Sequence, residues 1–265
     1  MAITLYPPTR PRTLAELLDA SVKIFRVTLP KCLPYASMAI LFGQLSTLYD
    51  LARGQMPAPR DMNNPVWITL YTAGSILFFI LWMAMLLRQA AVAAGRPPGA
   101  SDLLDALKQA PAILAICLIG STVILLLIAP PLTLAEPYRS IGFGVMLLPA
   151  IYISIGLSLA LPARMLTHKS VMQSILYSLR LIRGNWWRTA ALYVIAVAII
   201  AAGYLFTAVM VAMILPGAGR AEAAARAGMT AVVLAVGAMG LIFYTAILLS
   251  LFGDLELRQV ARPPG

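Results

Sequence analysis

Apolar residues along this chain fall into six long runs, separated by short stretches where charged, proline and glycine residues gather. The runs cover about residues 33–52, 66–94, 112–129, 141–161, 187–215 and 229–252. A helix needs roughly 20 apolar residues to cross a bilayer, so each run is expected to be a transmembrane helix. Three stretches ahead of these runs follow a different period. Over residues 13–31, helical phase gathers Leu14, Leu17, Leu18, Ser21 and Phe25 on one face. Glu16, Asp19, Lys23 and Arg26 fall on the other, which predicts an amphipathic helix. Thr13 and Glu16 have the spacing of a capping box, which marks where that helix starts.

The same design returns at residues 170–188, offset by 157 positions. Ser170 and Gln173 stand where Thr13 and Glu16 stood, and Arg180, Arg183 and Arg188 take the places of Lys23, Arg26 and Lys31. A shorter amphipathic stretch, residues 101–110, repeats the Leu-Leu-Asp-Ala of residues 17–20 at an offset of 86. The expected fold is therefore an all-α integral membrane protein, a single domain over residues 1–265. Its six transmembrane helices form three hairpins, in units 1–94, 95–162 and 163–265, each preceded by an interfacial amphipathic helix. Because all three units start on one side, they read as parallel, pseudo-threefold repeats about an axis along the membrane normal. Pro30 and Pro34 are expected to turn the chain out of the first amphipathic helix. Residues 217–227 read as a small-residue loop or as one helical turn extending a span, and residues 254–265 as a tail.

Composition agrees with a membrane reading. Of 265 residues, 61% are hydrophobic and 11% charged, where a soluble domain carries about 25% charged residues. The net charge of +10 suits loops facing anionic lipid rather than nucleic acid, because the cations are spread along one predicted face. With six crossings, fifteen of the 20 Lys and Arg residues lie on the side of the termini. The positive-inside rule then puts both termini in the cytoplasm. Glu16 and Asp19 precede the first apolar run, so no cleavable signal peptide is expected.

Candidate chemistry is sparse. One histidine, His168, cannot form a paired-histidine metal site, and Cys32 and Cys117 lack metal or disulfide spacing. No phosphate-binding glycine loop and no nucleophile–base pair can be read, so neither catalytic residues nor metal nor cofactor are assigned. Gln44, in the first apolar run, is the intramembrane polar candidate. Lys23, Arg26, Lys31, Arg180, Arg183 and Arg188, with Trp186 and Trp187, are the candidates for contact with lipid headgroups or a partner. Arginine suits phosphate and tryptophan suits the bilayer interface.

The opening residues 12–26, the segment 174–187 and the closing Asp254-Leu-Glu-Leu-Arg258 together resemble YciC-like bacterial inner-membrane proteins. They also resemble the membrane domain fused to some glycerophosphoryl diester phosphodiesterases. The resemblance implies a membrane module without assigning an activity, since one histidine leaves no phosphodiesterase metal set. The expected function is a non-enzymatic scaffold, accessory or lipid-interacting module of the cell envelope. Its partners would be anionic lipid and a membrane or cytoplasmic protein. The alternative is a permease subunit served by a separate ATPase.

Overall fold

The computed structural model describes residues 5–53, 64–97, 99, 101–214 and 221–261. Those residues form ten helices and no strand: α1 (Leu14–Gly43), α2 (Leu45–Ala52), α3 (Pro65–Ala93), α4 (Ser101–Lys108), α5 (Ala110–Leu132), α6 (Tyr138–Leu157), α7 (Ala160–Thr167), α8 (Val171–Ile182), α9 (Trp186–Ile214) and α10 (Ala221–Val260). Both predicted capping boxes are formed. The Thr13 and Ser170 hydroxyls each accept from the N3 backbone N–H, and the Glu16 and Gln173 side chains reach back to the cap N–H.

Five stretches of helix are long and apolar enough to cross a membrane: Pro65–Ala93, Ala110–Leu132, Tyr138–Thr167, Trp186–Met210 and Thr230–Val260. The first apolar run differs from expectation. Pro30 and Pro34 do not turn the chain but lie inside α1. They sit four residues apart on its exposed face, where the missing N–H groups interrupt only that side. The apolar half of α1, from Cys32 to Gly43, then stops at Gln44. At 1.5 Å per residue it spans only about 18 Å, short of the roughly 30 Å hydrocarbon core. Of the expected C-terminal tail, residues 254–260 continue α10, and residues 262–265 lie outside the described residues. Of the predicted loop at residues 217–227, the part from Ala221 is the start of α10, and residues 217–220 lie outside the described residues.

Helix α1 lies between α3 and α10, while α5 pairs with α6 and α9 with α10. It approaches α3 tightly at Gly74, where an added Cβ would come within 2.3 Å of the Phe42 carbonyl oxygen. Only a residue without a side chain permits that contact. The interior of the α1–α3–α10 group is filled by Cys32, Ala36, Met85, Ala238 and Ile242. A larger cluster gathers Leu17, Leu159, Leu181, Leu192, Leu251 and Phe252, joining α1, α8, α9 and α10 near the end that carries the chain's N-terminal segment. Away from that end, α5, α6 and α9 turn Leu125, Leu148, Val194 and Phe206 outward, as surfaces facing lipid do.

The two capped helices, α1 and α8, part company at one residue. Counting 157 positions on from Val27 reaches Gly184, whose φ of 83° ends α8 and lets α9 start in a new direction. A β-branched valine resists that conformation, so α1 continues straight through.

Candidate functional site

The functional candidates converge on the end of the bundle where the N-terminal segment, the end of α3 and the end of α10 meet. Leu5 N–H donates to the Ala93 carbonyl at 2.8 Å, which satisfies a terminal acceptor of α3. Pro8 packs on Gly253, whose added Cβ would lie 2.6 Å from Pro8 Cδ. These contacts bring residues 5–12 across the end of α10.

Asp254 is fully buried there. Its Oδ2 lies 2.8 Å from Arg258 Nε and 3.4 Å from an Arg188 guanidinium nitrogen. Its Oδ1 accepts from the Arg12 backbone N–H at 2.6 Å. Arg258 and Arg188 both also donate to the Arg12 carbonyl. One carboxylate thus ties together the N-terminal segment, α9 and α10, an arrangement that pays off only when every partner is present. Beside it, Tyr177 on α8 donates to Glu256 at 2.9 Å. Burial and the adjacent Glu256 carboxylate push the Tyr177 hydroxyl above its ordinary range.

The predicted contact residues separate into two groups. Lys23, Arg26 and Lys31 are exposed along α1, with Lys23 paired to Asp19 at 2.6 Å. Arg180 and Arg183 are exposed at the end of α8, and Trp187 is 81% exposed. Arg188, by contrast, turns inward to Asp254. Trp186 stacks on Tyr152 and directs its indole N–H at the Tyr152 carbonyl, 3.3 Å away. Trp186 therefore anchors α9 to α6, while its neighbour Trp187 faces out.

Gln44 occupies the break between α1 and α2, half-buried. The fully buried amide is Gln89 on α3. Its Nε2 donates to Thr28 Oγ1 at 3.0 Å on α1 and to the Ile242 carbonyl at 3.2 Å on α10. The sequence analysis does not single it out: Gln89 directly follows the charged Arg88 near the end of its apolar run. The signal was its phase, three residues after Leu86 and one before Ala90 on a helix buried over both.

A cavity of about 500 Å³ opens at the same end, between the close of α3, helix α4 and the α7–α8 turn. Asp102, Asp105 and Gln109 line it from α4 and its end, Arg96 from the α3–α4 connection, and His168 from the α7–α8 turn. Burial raises the Asp102 carboxyl above its ordinary range, against the pull of Arg88. Among the described residues no group of three or more His, Cys, Asp or Glu side chains is placed to hold a metal ion.

Comparison with family models, with curated proteins and with solved structures yields no match to this chain.

Proposed function

We propose that this chain is a non-enzymatic, multi-pass protein of the bacterial inner membrane, serving as a scaffold or accessory module that binds anionic lipid on its cytoplasmic face. The observation that carries the reading is the outward face shared by α1 and α8. At the 157-residue offset the two helices bury equivalent positions: Leu17 and Ser174, Ser21 and Ser178, Ile24 and Leu181. Their other faces mix cations with exposed apolar side chains. Val22 and Val27 flank Lys23 and Arg26, while Met172, Leu176 and Leu179 lead to Arg180 and Arg183. A helix lying in the headgroup layer needs this combination, apolar groups to enter the acyl boundary and cations to meet phosphate.

In this reading the apolar half of α1 completes a sixth crossing together with α2. The three units are parallel repeats, and both termini lie in the cytoplasm. Kinship with YciC-like membrane proteins belongs to the same proposal. The filled interior of the α1–α3–α10 group favours a scaffold over a permease, which needs a polar path between helices.

The test reconstitutes the full chain in nanodiscs of phosphatidylcholine with phosphatidylglycerol and counts retained lipid by native mass spectrometry. Replacing Lys23, Arg26, Arg180 and Arg183 together with alanine should lower retained phosphatidylglycerol severalfold. Arg188 is kept, because its loss would disturb the Asp254 cluster. Unchanged retention would overturn the proposal.

A further inference from the structure

The cavity beside α4 contains two buried hydrogen-bond acceptors that the fold leaves unused. Asp102 is only 8% exposed, yet its Oδ2 has no hydrogen-bond partner. Gln109 Oε1 is likewise buried and unpartnered. Both residues line the cavity. Arg88 Nε lies 3.5 Å from Asp102 Oδ2 and makes no hydrogen bond either, because its guanidinium is held over the Tyr35 ring at 4.7 Å. Arg88 therefore offsets the charge of Asp102 without occupying its lone pairs. Buried polar groups are nearly always hydrogen-bonded, and an unmade bond carries the full cost of desolvating the group. Two acceptors lining one cavity call for a ligand that brings donors.

The rim has the opposite chemistry. Arg96 and His168 are exposed and both line the opening, with the Ser101 hydroxyl beside them. Among the lining residues the unpartnered acceptors are thus buried, whereas Arg96 and His168, like Asp105, are exposed. Leu87, Ala90, Met165 and Leu166 supply apolar wall between them. The volume falls within the roughly 300–1,000 Å³ common for small-molecule sites.

We propose that this cavity binds a zwitterionic ammonium–phosphate group of the phosphoethanolamine kind, with its ammonium inward on Asp102 and Gln109 and its phosphate outward on Arg96 and His168. A primary ammonium offers three donors and no acceptor, which matches the two open oxygens and the negative charge of Asp105 nearby. Arg96 supplies a charge-assisted contact to phosphate. The raised Asp102 carboxyl is consistent with a burial that a bound cation would relieve. Such a group arrives either as a lipid headgroup or as a free small molecule. The cavity is distinct from the cationic faces of α1 and α8, so either proposal can fail while the other stands.

The full chain in detergent is titrated with soluble phosphoethanolamine by calorimetry. In parallel, native mass spectrometry compares retention of phosphatidylethanolamine and phosphatidylcholine. Phosphatidylcholine carries the same phosphate but no N–H donor, so preferential retention of phosphatidylethanolamine is expected. Binding of the soluble probe as well identifies a small-molecule site, and retention of the lipid only identifies a headgroup site; both support the proposal. Asp102→Asn should weaken binding at least tenfold. Since that change also removes the charge facing Arg88, Arg96→Ala at the exposed rim serves as a second variant, expected to weaken phosphoethanolamine severalfold while leaving ethanolamine binding unchanged. Equal retention of the two lipids with no binding of the soluble probe would overturn the proposal, as would binding that neither variant alters.

Discussion

The backbone N–H of Arg12 donates to Asp254 Oδ1 across 2.6 Å, joining residues 242 positions apart. Through this bond the segment before the first helix closes on the end of the last. Arg188 and Arg258 complete the cluster on the other oxygen. Asp254→Ala should destabilise the chain by about 3–5 kcal/mol, because it leaves two partly buried arginines without their counter-charge. Arg188→Met should cost less, about 1.5–3 kcal/mol, since Asp254 keeps Arg258 and the Arg12 N–H. Thermal unfolding of the detergent-solubilised chain measures both. Equal losses would show that Asp254 is not the centre of the cluster.

Gln89 joins three helices yet should be dispensable. Its Oε1 is buried and unpartnered. Thr28 Oγ1 keeps its own bond to the Ile24 carbonyl at 2.8 Å if Gln89 is lost. Gln89→Met removes two hydrogen bonds and one orphaned acceptor at similar volume, so stability should change by less than about 1 kcal/mol. Gln89→Ala should cost clearly more, because it opens a cavity in a filled interior. If the methionine variant is the worse of the two, the amide's hydrogen bonds to Thr28 and Ile242 outweigh the packing that methionine restores.

The contrast between Val27 and Gly184 predicts substitutions with different causes. Gly184→Ala places a Cβ at φ 83° and should cost about 1–2 kcal/mol. Val27→Gly at the matching position of α1 should cost less than about 1 kcal/mol, through helix propensity only, because the Val27 side chain is exposed. Chemical denaturation of both variants checks the order. A larger loss at Val27 would mean that the straightness of α1 depends on more than its backbone.

The Glu16 carboxyl lies below its ordinary range, first because the Thr13 backbone N–H donates to it and further because of Arg10. A carboxyl with a lowered folded pKa contributes stability above its unfolded value, and that contribution disappears as pH falls through the folded one. Glu16→Gln keeps the reciprocal cap, as Gln173 does on α8, but cannot titrate. The native chain should therefore lose more melting temperature than the variant between neutral pH and the acid side of the carboxylate range. Parallel curves would remove the carboxylate from the cap.

Local chemistry made a good part of this fold legible from sequence. Caps and apolar runs depend on neighbours within a turn or two, so Thr13–Glu16, Ser170–Gln173 and the membrane-length helices could be read directly. The same reasoning misjudged Pro30 and Pro34, because a proline breaks or spares a helix according to which face it occupies and what packs there. It placed Arg188 beside Arg180 and Arg183 as a surface cation, for nothing near Arg188 in sequence names Asp254. It chose Gln44 over Gln89, since the depth of an amide follows from the helices that close over it. The sequence by itself determined which segments are helical, where the amphipathic ones start, and that the chain belongs in a membrane. Only the tertiary structure decided which polar groups face inward, because partners such as Arg12 and Asp254, or Gln89 and Ile242, are brought together by packing across the whole chain.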